Sequence, residues 1–294
     1  MEPYSLEIDY AQDDRKREAL YPLFEEVFGI PADLLGDFHQ KGFWDSTYCP
    51  FTYFLKGKAA ANVSMFSMPL LVEGKCIRAA GIQSVMTHPD HRGKGLMKKL
   101  FNHMLERLDH TYDCALLMTN QPGLYIPFGF QEADKYSFKA AFMHPGRINA
   151  SLKRLDLFQE NGLTLTMNLF EKRQPLSERF WPMRYQSSFC LNMYSPFFQE
   201  RVYYSEDLNA ILIYEVKEGI LKLYDILAEK IPAMDDLAKQ IPEAFNQIEC
   251  HFCPDRFNEV DWTVHTHTSR SKLMVRGMGI LRGKRHRLPM TAEF

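Results

Sequence analysis

Four consecutive residues, Arg92, Gly93, Lys94 and Gly95, place two positive charges and two glycines directly before a segment that favours a helix. Glycine adopts backbone conformations that a Cβ forbids, and it lets the main chain approach a ligand closely. The first amides of a helix have no partner inside the helix and lie at the positive end of its dipole. These residues therefore predict a site that binds phosphate oxygens.

The elements on either side of these residues determine what they can hold. An apolar strand segment ends at Val85, Met86 and Thr87, and a turn-rich loop then runs from His88 to Gly95. From Leu96 to Leu108, apolar residues recur at three- and four-residue spacing, which predicts an amphipathic helix. A strand, a basic loop and a helix in this order are typical of a phosphate-binding loop.

Spacing distinguishes between the known loops of this kind. A P-loop requires Ser or Thr directly after its Gly-Lys pair, and none is present here. A dinucleotide-binding loop requires a third glycine where Lys98 stands. Arg92 to Met97 instead resembles the [QR]-x-x-G-x-[GA] pyrophosphate loop of the GNAT superfamily of N-acetyltransferases. Met97 departs from the small residue usual at the last position, as in the enhanced-intracellular-survival (Eis) branch of that superfamily.

The resemblance implies a GNAT fold, an α/β (α+β) arrangement in which a mixed central sheet is flanked by helices. It implies acetyl-CoA as cosubstrate and no metal. Backbone groups of the strand would pair with the pantetheine arm, an N–H near Val85 would polarise the thioester carbonyl, and the loop amides would hold the pyrophosphate. The cofactor-binding residues expected on this basis are Val85, Met86, Thr87, Arg92, Gly93, Lys94, Gly95, Leu96, Met97 and Asn120.

A second motif follows the predicted helix. Cys114 to Thr119 is a continuous apolar run, which indicates a strand covered on both faces. A strand, a helix and a parallel strand form a crossover, and a cofactor can enter between the strand ends. The next segment, Asn120 to Phe130, resembles the GNAT segment that contains a short helix and a Gly-Phe step. Tyr125 matches the family's tyrosine near the thioester sulfur, where a phenol can protonate the leaving thiolate.

Two segments near the start of the chain are candidates for the acceptor pocket. Residues 15–29 predict an amphipathic helix, and residues 30–44 predict a second short helix and a loop. In a GNAT domain these segments would form the floor and one wall of the pocket. The substrate-binding residues expected there are Glu25, Phe38 and Trp44, with Phe43 as a further aromatic candidate, although packing in a small core is the commoner role for such aromatics.

Attack by an amine also requires a base that removes its proton. His88 is one candidate, because imidazole titrates near neutral pH. Glu25 and Glu26 are others, since they lie on the first predicted helix. The resemblance to the Eis branch adds the carboxylate at Phe294, because members of that branch often end in an aromatic residue. The sequence does not decide among these candidates.

The length of 294 residues predicts two domains. We expect a GNAT acetyltransferase domain at 1–145, closed by the strand at Tyr136–Phe142, a linker helix at 146–160, and a second, smaller, degenerate GNAT-like α+β domain at 161–294. In the second half, a hairpin, a helix and strands loosely repeat the first half without a second phosphate loop. Short turns at 56–58, 73–75 and 217–219 predict antiparallel neighbours.

Net charge, apolar runs and cysteine usage limit the classes of partner and the location that we expect. A net charge of −2 disfavours bulk attraction to nucleic acid or to an anionic membrane. The chain has no secretion-signal pattern and no apolar run of membrane-spanning length, and its six cysteines are scattered, so we expect a soluble cytoplasmic protein. Cys250 and Cys253 with His265 and His267 suggest zinc, but the H-x-H spacing does not suit a finger. Buried thiols and ordinary strand histidines are the preferred interpretation.

These features predict an acetyl-CoA-dependent N-acetyltransferase that acts by direct attack of a primary amine on the thioester. The acceptor would be a small molecule or a peptide. The alternative is a non-catalytic acyl-CoA-binding or regulatory protein that keeps the cofactor loop. A transferase that uses aminoacyl-tRNA is disfavoured by the lack of a basic surface run. The sequence leaves the oligomeric state open, and a homo-oligomer is compatible with it.

Overall fold

The structure is a computed structural model that describes residues 3–146, 152–277, 279, 281 and 283–294. Its α-helices are α1 (Asp14–Glu18), α2 (Tyr21–Phe28), α3 (Ala32–Gln40), α4 (Leu96–Thr111), α5 (Glu160–Lys172), α6 (Gln186–Asn192), α7 (Pro196–Gln199) and α8 (Met234–Ala238). The strands of the first half are β1 (Ser5–Ile8), β2 (Cys49–Leu55), β3 (Lys58–Ser67), β4 (Leu70–Val72), β5 (Lys75–Ile77), β6 (Ala79–Thr87), β7 (Cys114–Thr119), β8 (Gln131–Ala133) and β9 (Tyr136–His144). Those of the second half are β10 (Lys153–Arg154), β11 (Phe180–Pro182), β12 (Val202–Ser205), β13 (Ala210–Lys217), β14 (Ile220–Ala228), β15 (Phe245–Cys250), β16 (Thr263–Thr266) and β17 (Lys272–Arg276).

The predicted turns are confirmed. The pairs Lys56-Gly57, Glu73-Gly74 and Glu218-Gly219 all have positive φ at both residues, as tight hairpins require. They join β2 to β3, β4 to β5 and β13 to β14 as antiparallel neighbours. The mixed α/β architecture with large sheets flanked by helices is therefore the one expected from the sequence.

The first sheet has the order β1-β2-β3-β6-β7-β17-β8. The pairs from β1 to β6 are antiparallel, and β6 and β7 are parallel on either side of α4. The strand β17, from the end of the chain, lies between β7 and β8 and pairs antiparallel with both. The first sheet is thus completed by a strand that sequence reasoning did not assign to it.

The second sheet has the order β10-β12-β13-β14-β15-β9-β16. The prediction that the strand at Tyr136–Phe142 closes the first domain is wrong, because β9 pairs with β15 and β16 in this sheet. The two sheets therefore exchange strands: β9 leaves the first half and β17 returns to it. A boundary at residue 145 does not separate the two sheets, and the division into domains stays a prediction.

The linker also differs from expectation. Over the described part of 146–160, residues 152–159 contain the short strand β10 rather than a helix, and the helix α5 begins only at Glu160. Residues 147–151 lie outside the described residues. Pairing of Lys153 and Arg154 with Tyr204 and Tyr203 uses backbone groups that a helix would have paired internally.

The second half repeats part of the first. The strands β13 and β14 are antiparallel, α8 follows, and β15 returns parallel to β14. The strands β3, β6 and β7 with α4 have the same arrangement. The repeated helix is short, with five residues in α8 against sixteen in α4. The predicted GNAT-like character of the second half therefore has a counterpart in its topology.

The first sheet is covered on both faces. The helix α4 packs on one face through Leu100, Phe101 and Met104, which are all fully buried. The helices α2 and α3 cover one end of the other face, while the second half of the chain covers the rest. This arrangement leaves a gap in the cover between α2, α3 and α6, and the candidate site lies there.

Candidate functional site

A β-bulge interrupts β6 before the phosphate loop. The register with β3 shifts between Asn62 and Ser64, and Ser84 has a φ of 54°. A non-glycine residue in this left-handed region is uncommon and needs local support. The buried Asn62 supplies that support, because its Nδ2 donates to the Ser84 carbonyl at 2.7 Å. Nothing in the local sequence predicts this bulge.

The strands β6 and β7 separate just beside the bulge. Their parallel pairing ends at Ile82 and Leu117, although β6 continues to Thr87. The His88 N–H donates to the Ala60 carbonyl at 2.9 Å, so His88 faces β3. Because backbone groups alternate between the two edges of a strand, the N–H and C=O groups of Val85 and Thr87 face the opening. These two residues form the edge of β6 that faces away from β3, and the Thr87 carbonyl there accepts a hydrogen bond from Arg92 Nε.

Met86 was also expected to bind the cofactor, but its side chain lies in the core. Its backbone lies opposite Asn62 on β3, and its side chain is 1% exposed in the core formed with α2 and α3. The Met86 side chain therefore holds the strand in place on that core, and it does not line the opening between the strands.

The phosphate loop has the predicted backbone. Gly93 and Gly95 have φ values of 74° and 71°, and Gly95 is the N-cap of α4. A glycine N-cap has no side chain, so the first amides of α4 stay available to a ligand. The loop is exposed, Arg92 Nε donates to the Thr87 carbonyl at 3.3 Å, and Lys94 Nζ donates to the Asp90 carbonyl at 2.9 Å. Both cations are thereby kept next to the amides.

The helix after the loop contributes its main chain. The Leu96 side chain is buried against the sheet and Met97 is half-buried beside it, so only their amides face the loop. Met97 occupies the position where the resembling pattern has a small residue, and here its side chain packs on the α4 side of the sheet. A larger residue is accommodated because it points to the core.

Tyr125 lies beyond the end of β7. Its ring packs against Phe101 of α4, with ring centroids 5.6 Å apart, and it is 6% exposed. Burial raises the pKa of the phenol above its ordinary value, while a hydrogen bond with Thr119 opposes the rise. Tyr125 is therefore a neutral proton donor near pH 7. Asn120, also expected to contact the cofactor, is exposed at the end of β7.

The candidate bases occupy different environments. His88 Nδ1 accepts a hydrogen bond from the Asp90 N–H at 3.3 Å, which in a neutral ring places the proton on Nε2. In this geometry His88 has no free lone pair for an amine. Glu25 and Glu26 are exposed on α2 and do not line the pocket described below.

Phe294 lies on the face of the first sheet opposite α4. Its ring packs edge-on against Phe66 at 5.1 Å, and a Cβ added to Gly81 would lie 3.1 Å from its Cζ. On α6, Asn192 Nδ2 donates to the Glu293 carbonyl at 2.8 Å. Because Gly81 and Gln83 share a face of β6, this residue lies near the floor of the pocket. The role of its carboxylate as base stays a prediction.

A pocket with a cavity volume of about 40 Å³ lies between α2, α3 and α6 and ends on the bulge of β6. Of the predicted substrate residues, Phe38 and Trp44 line it, and Phe43 does not. Its lining residues are Phe24, Leu35, Phe38, Trp44, Asp45, Tyr48, Gln83, Ser84, Ser187, Ser188 and Leu191. The pocket thus reaches the strand whose opposite edge faces the predicted cofactor.

Several of these residues were missed by sequence reasoning. Ser187, Ser188 and Leu191 come from α6, and nothing in the local sequence indicates that the second half provides a wall of the pocket. Asp45 could have been found, because it directly follows Trp44. A second, more polar groove of about 410 Å³ adjoins the pocket and shares Trp44, Asp45 and Ser187 with it.

The cysteines and histidines considered for zinc do not assemble. Within the described residues, no group of three or more His, Cys, Asp or Glu side chains is placed to hold a metal ion. Cys250 and Cys253 are buried thiols whose pKa values are raised by burial, and His265 is exposed on β16.

Within the residues that the structure describes, none of the helices combines the length and apolar character needed to cross a bilayer.

A comparison with known families finds one match, which lies in the first half of the chain. Residues 8–133 match the model of the acetyltransferase (GNAT) domain. This range ends before β9, and it contains every strand of the first sheet except β17 and part of β1. A comparison with curated proteins finds no significant match.

Solved structures share the overall fold. A probable N-acyltransferase from Enterococcus faecalis is 14% identical with a TM-score of 0.59, over 92% of this chain and 72% of that one. Eis1 from Mycobacterium abscessus is 14% identical with a TM-score of 0.58, over 92% and 73%. A putative acetyltransferase from Pyrococcus horikoshii is 13% identical with a TM-score of 0.50, over 100% and 98%. At these identities the likeness concerns the fold alone.

Proposed function

We propose that this protein is an acetyl-CoA-dependent N-acetyltransferase that acts on a primary amine of a small molecule or peptide, and the match of residues 8–133 to the GNAT acetyltransferase model supports this. The observation that supports this most is the position of the bulge at Ser84. The bulge lies where β6 separates from β7, and its residues Gln83 and Ser84 also line the pocket. A thioester bound along β6 and an amine in the pocket would then meet across one strand.

Acetyl-CoA would lie along the opening between β6 and β7. The backbone groups of Val85 and the N–H of Thr87 would pair with the amides of the pantetheine arm, as an added strand does. The pyrophosphate would rest on the amides that follow Gly93 and Gly95, with Arg92 adding positive charge.

The chemistry needs one bond to form and one to break. The neutral amine nitrogen attacks the thioester carbonyl carbon, and the C–S bond breaks as the amide forms. The Val85 N–H would stabilise the oxyanion of the tetrahedral intermediate. Tyr125 would donate its phenolic proton to the leaving thiolate, and the proton released by the amine would balance that loss through a base or water. The raised pKa of Tyr125 keeps the donor protonated before transfer.

Location and redox state belong to the same proposal. The six cysteines are free thiols, of which Cys76 is exposed and the others are buried. Thiols persist in a reducing compartment. We therefore place the protein in the cytoplasm.

The test is a comparison of Tyr125→Phe with wild type in two assays. Release of CoA thiol with a panel of amines should fall by about 100-fold or more, the range of a lost general acid. Binding of acetyl-CoA, followed by calorimetry, should change little, because the ring and its packing against Phe101 remain. Tyr112→Phe, at the opposite end of α4, is the matched control and should retain turnover.

The outcomes separate the alternatives. Acetyl-CoA binding without thiol release from any amine would favour the non-catalytic acyl-CoA-binding protein. Loss of neither activity nor binding in Tyr125→Phe would remove this residue from the mechanism. Failure of the wild type to bind acetyl-CoA would contradict the whole proposal.

A further inference from the structure

The pocket beside the bulge has a distinctive chemical lining. Four aromatic rings and two leucine side chains surround it: Phe24, Phe38, Trp44, Tyr48, Leu35 and Leu191. Its polar lining consists of Gln83, Ser84, Ser187, Ser188 and one carboxylate, Asp45. Among the described residues that line it, Asp45 alone carries a formal charge at neutral pH. An occupant must therefore match an apolar cavity that offers a single negative group.

Asp45 is held rigidly in this position. Its Oδ1 accepts hydrogen bonds from the Thr47 N–H at 2.7 Å and from the Thr47 hydroxyl at 2.5 Å. The Thr47 hydroxyl oxygen in turn accepts from the Ser67 N–H at 2.8 Å, which fixes the loop to β3. Within the described residues Oδ2 accepts no hydrogen bond and pairs with no cation. One oxygen thus orients the carboxylate, and the other is left for a ligand.

The aromatic rings around Asp45 are mutually ordered. Trp44 packs against Tyr48 at 5.3 Å and against Phe38 at 5.9 Å, in both cases edge to face. Tyr48 is further fixed by the Ser64 hydroxyl, which donates to its OH at 2.7 Å. Aromatic faces attract a cation through the ring quadrupole, and a nearby carboxylate adds to that attraction. The lining therefore favours one ammonium group over a neutral head group.

The same lining disfavours a second charge. A further ammonium in this cavity would lose its hydration without a carboxylate to pair with, which is strongly unfavourable. The apolar surface of the cavity makes the free energy of binding more favourable only when an apolar group of the ligand displaces water from it.

We propose that the acceptor is an amphipathic monoamine, in which the single amino group is carried on an aromatic or similarly apolar body, and that Asp45 selects it. This inference rests on the proposed function, because it names the class of amine that the same pocket would present to the thioester. Asp45 is here a specificity-determining residue that contacts the amino group. Polyamines and amino sugars with several cationic groups are excluded by the lining.

The test measures binding separately from turnover. Phenethylamine, phenethyl alcohol and spermidine are titrated calorimetrically into the protein in the presence of CoA, and the amines are then assayed for acetylation with acetyl-CoA. Phenethylamine should bind more tightly than either of the other two. Asp45→Asn should weaken phenethylamine by about 10- to 100-fold, the effect of one charged hydrogen bond, and should leave phenethyl alcohol unchanged.

The asparagine variant is designed to preserve the loop. Its side-chain oxygen can still accept from Thr47, so Asp45→Asn removes the charge and keeps the contact. Asp33→Asn makes the same exchange on the exposed side of α3 and should bind phenethylamine like wild type. Thermal unfolding of both variants identifies any loss of folding.

The results distinguish this inference from the function on which it rests. Phenethylamine that binds through Asp45, together with no acetylation of any amine in the panel, would support the pocket chemistry and contradict the acetyltransferase. Acetylation of spermidine in preference to phenethylamine would overturn the monoamine inference and leave the acetyltransferase intact. Equal phenethylamine affinity in wild type and Asp45→Asn would also overturn the inference.

Discussion

Replacement of Asp225 by asparagine should change how stability depends on pH. Asp225 lies in β14 with 0% exposure, and its carboxylate holds three groups. Tyr185 OH donates to Oδ2 at 2.9 Å, the Thr291 hydroxyl donates to the same oxygen, and the Ile226 N–H donates to Oδ1 at 2.8 Å. The contact to Thr291 fixes the segment that leads to Phe294.

The magnitude follows from the pKa of this carboxyl. Burial raises the pKa of Asp225 from 3.8 to about 6, and the three hydrogen bonds offset only part of the rise. Folded protein therefore binds the proton more tightly than unfolded protein. The stabilisation is fully present below pH 3.8 and is lost as the pH rises through about 6. A shift of about two pKa units corresponds to roughly 3 kcal/mol.

Asp225→Asn removes this titration and keeps a neutral side chain of the same shape. The difference in unfolding free energy between variant and wild type should therefore shift by roughly 3 kcal/mol in favour of the variant between acidic pH and about pH 8. Urea unfolding at a series of pH values measures it, and taking the difference cancels the titration of all other groups. Asp261→Asn, the same exchange at an exposed position, controls for the loss of one carboxylate.

A difference that stays constant with pH would refute this reasoning. It would mean that the hydrogen bonds from Tyr185 and Thr291 compensate the burial of the charge completely. A shift of the opposite sign would mean that Asp225 is ionised more readily in the folded protein than in the unfolded chain.

Two further predictions concern glycines. Gly95→Ala should weaken acetyl-CoA binding several-fold in calorimetry, because alanine at a φ of 71° is strained by about 1–2 kcal/mol and the loop amides would move; unchanged affinity would contradict the role of this loop. Gly277→Ala should lower the free energy of unfolding by more than 2 kcal/mol, since its Cβ would lie 2.7 Å from the Asp113 carbonyl oxygen and φ is 84°. Gly283→Ala, with a φ of 74° and open space around the Cβ, is the control and should lose only the backbone part.

The local sequence was sufficient to predict those features that depend only on interactions between residues close together in the chain. The αL conformations of Gly93 and Gly95 follow from residue type, and so do the amphipathic α4 and the two-residue turns. The basic loop before a helix predicted the phosphate site because the orphan amides and the dipole belong to one short segment. Phe38 and Trp44 could be predicted as pocket residues because both lie in the segment 30–44, which was expected to form one wall of the pocket.

Only the tertiary structure decided the features that depend on distant pairing. The pattern of residues 136–142 predicts the strand β9 but does not show which sheet this strand joins, and the sequence analysis did not predict β17. The bulge at Ser84 is stabilised by Asn62, 22 residues away, and leaves no local signature. The wall formed by α6 and the placement of Phe294 against Gly81 and Phe66 depend on contacts between the two halves of the chain. The sequence by itself predicted a phosphate-binding loop and the candidate residues for acyl transfer. The packing of the two sheets decided which candidate residues share a pocket, because packing depends on complementary surfaces far apart in the chain.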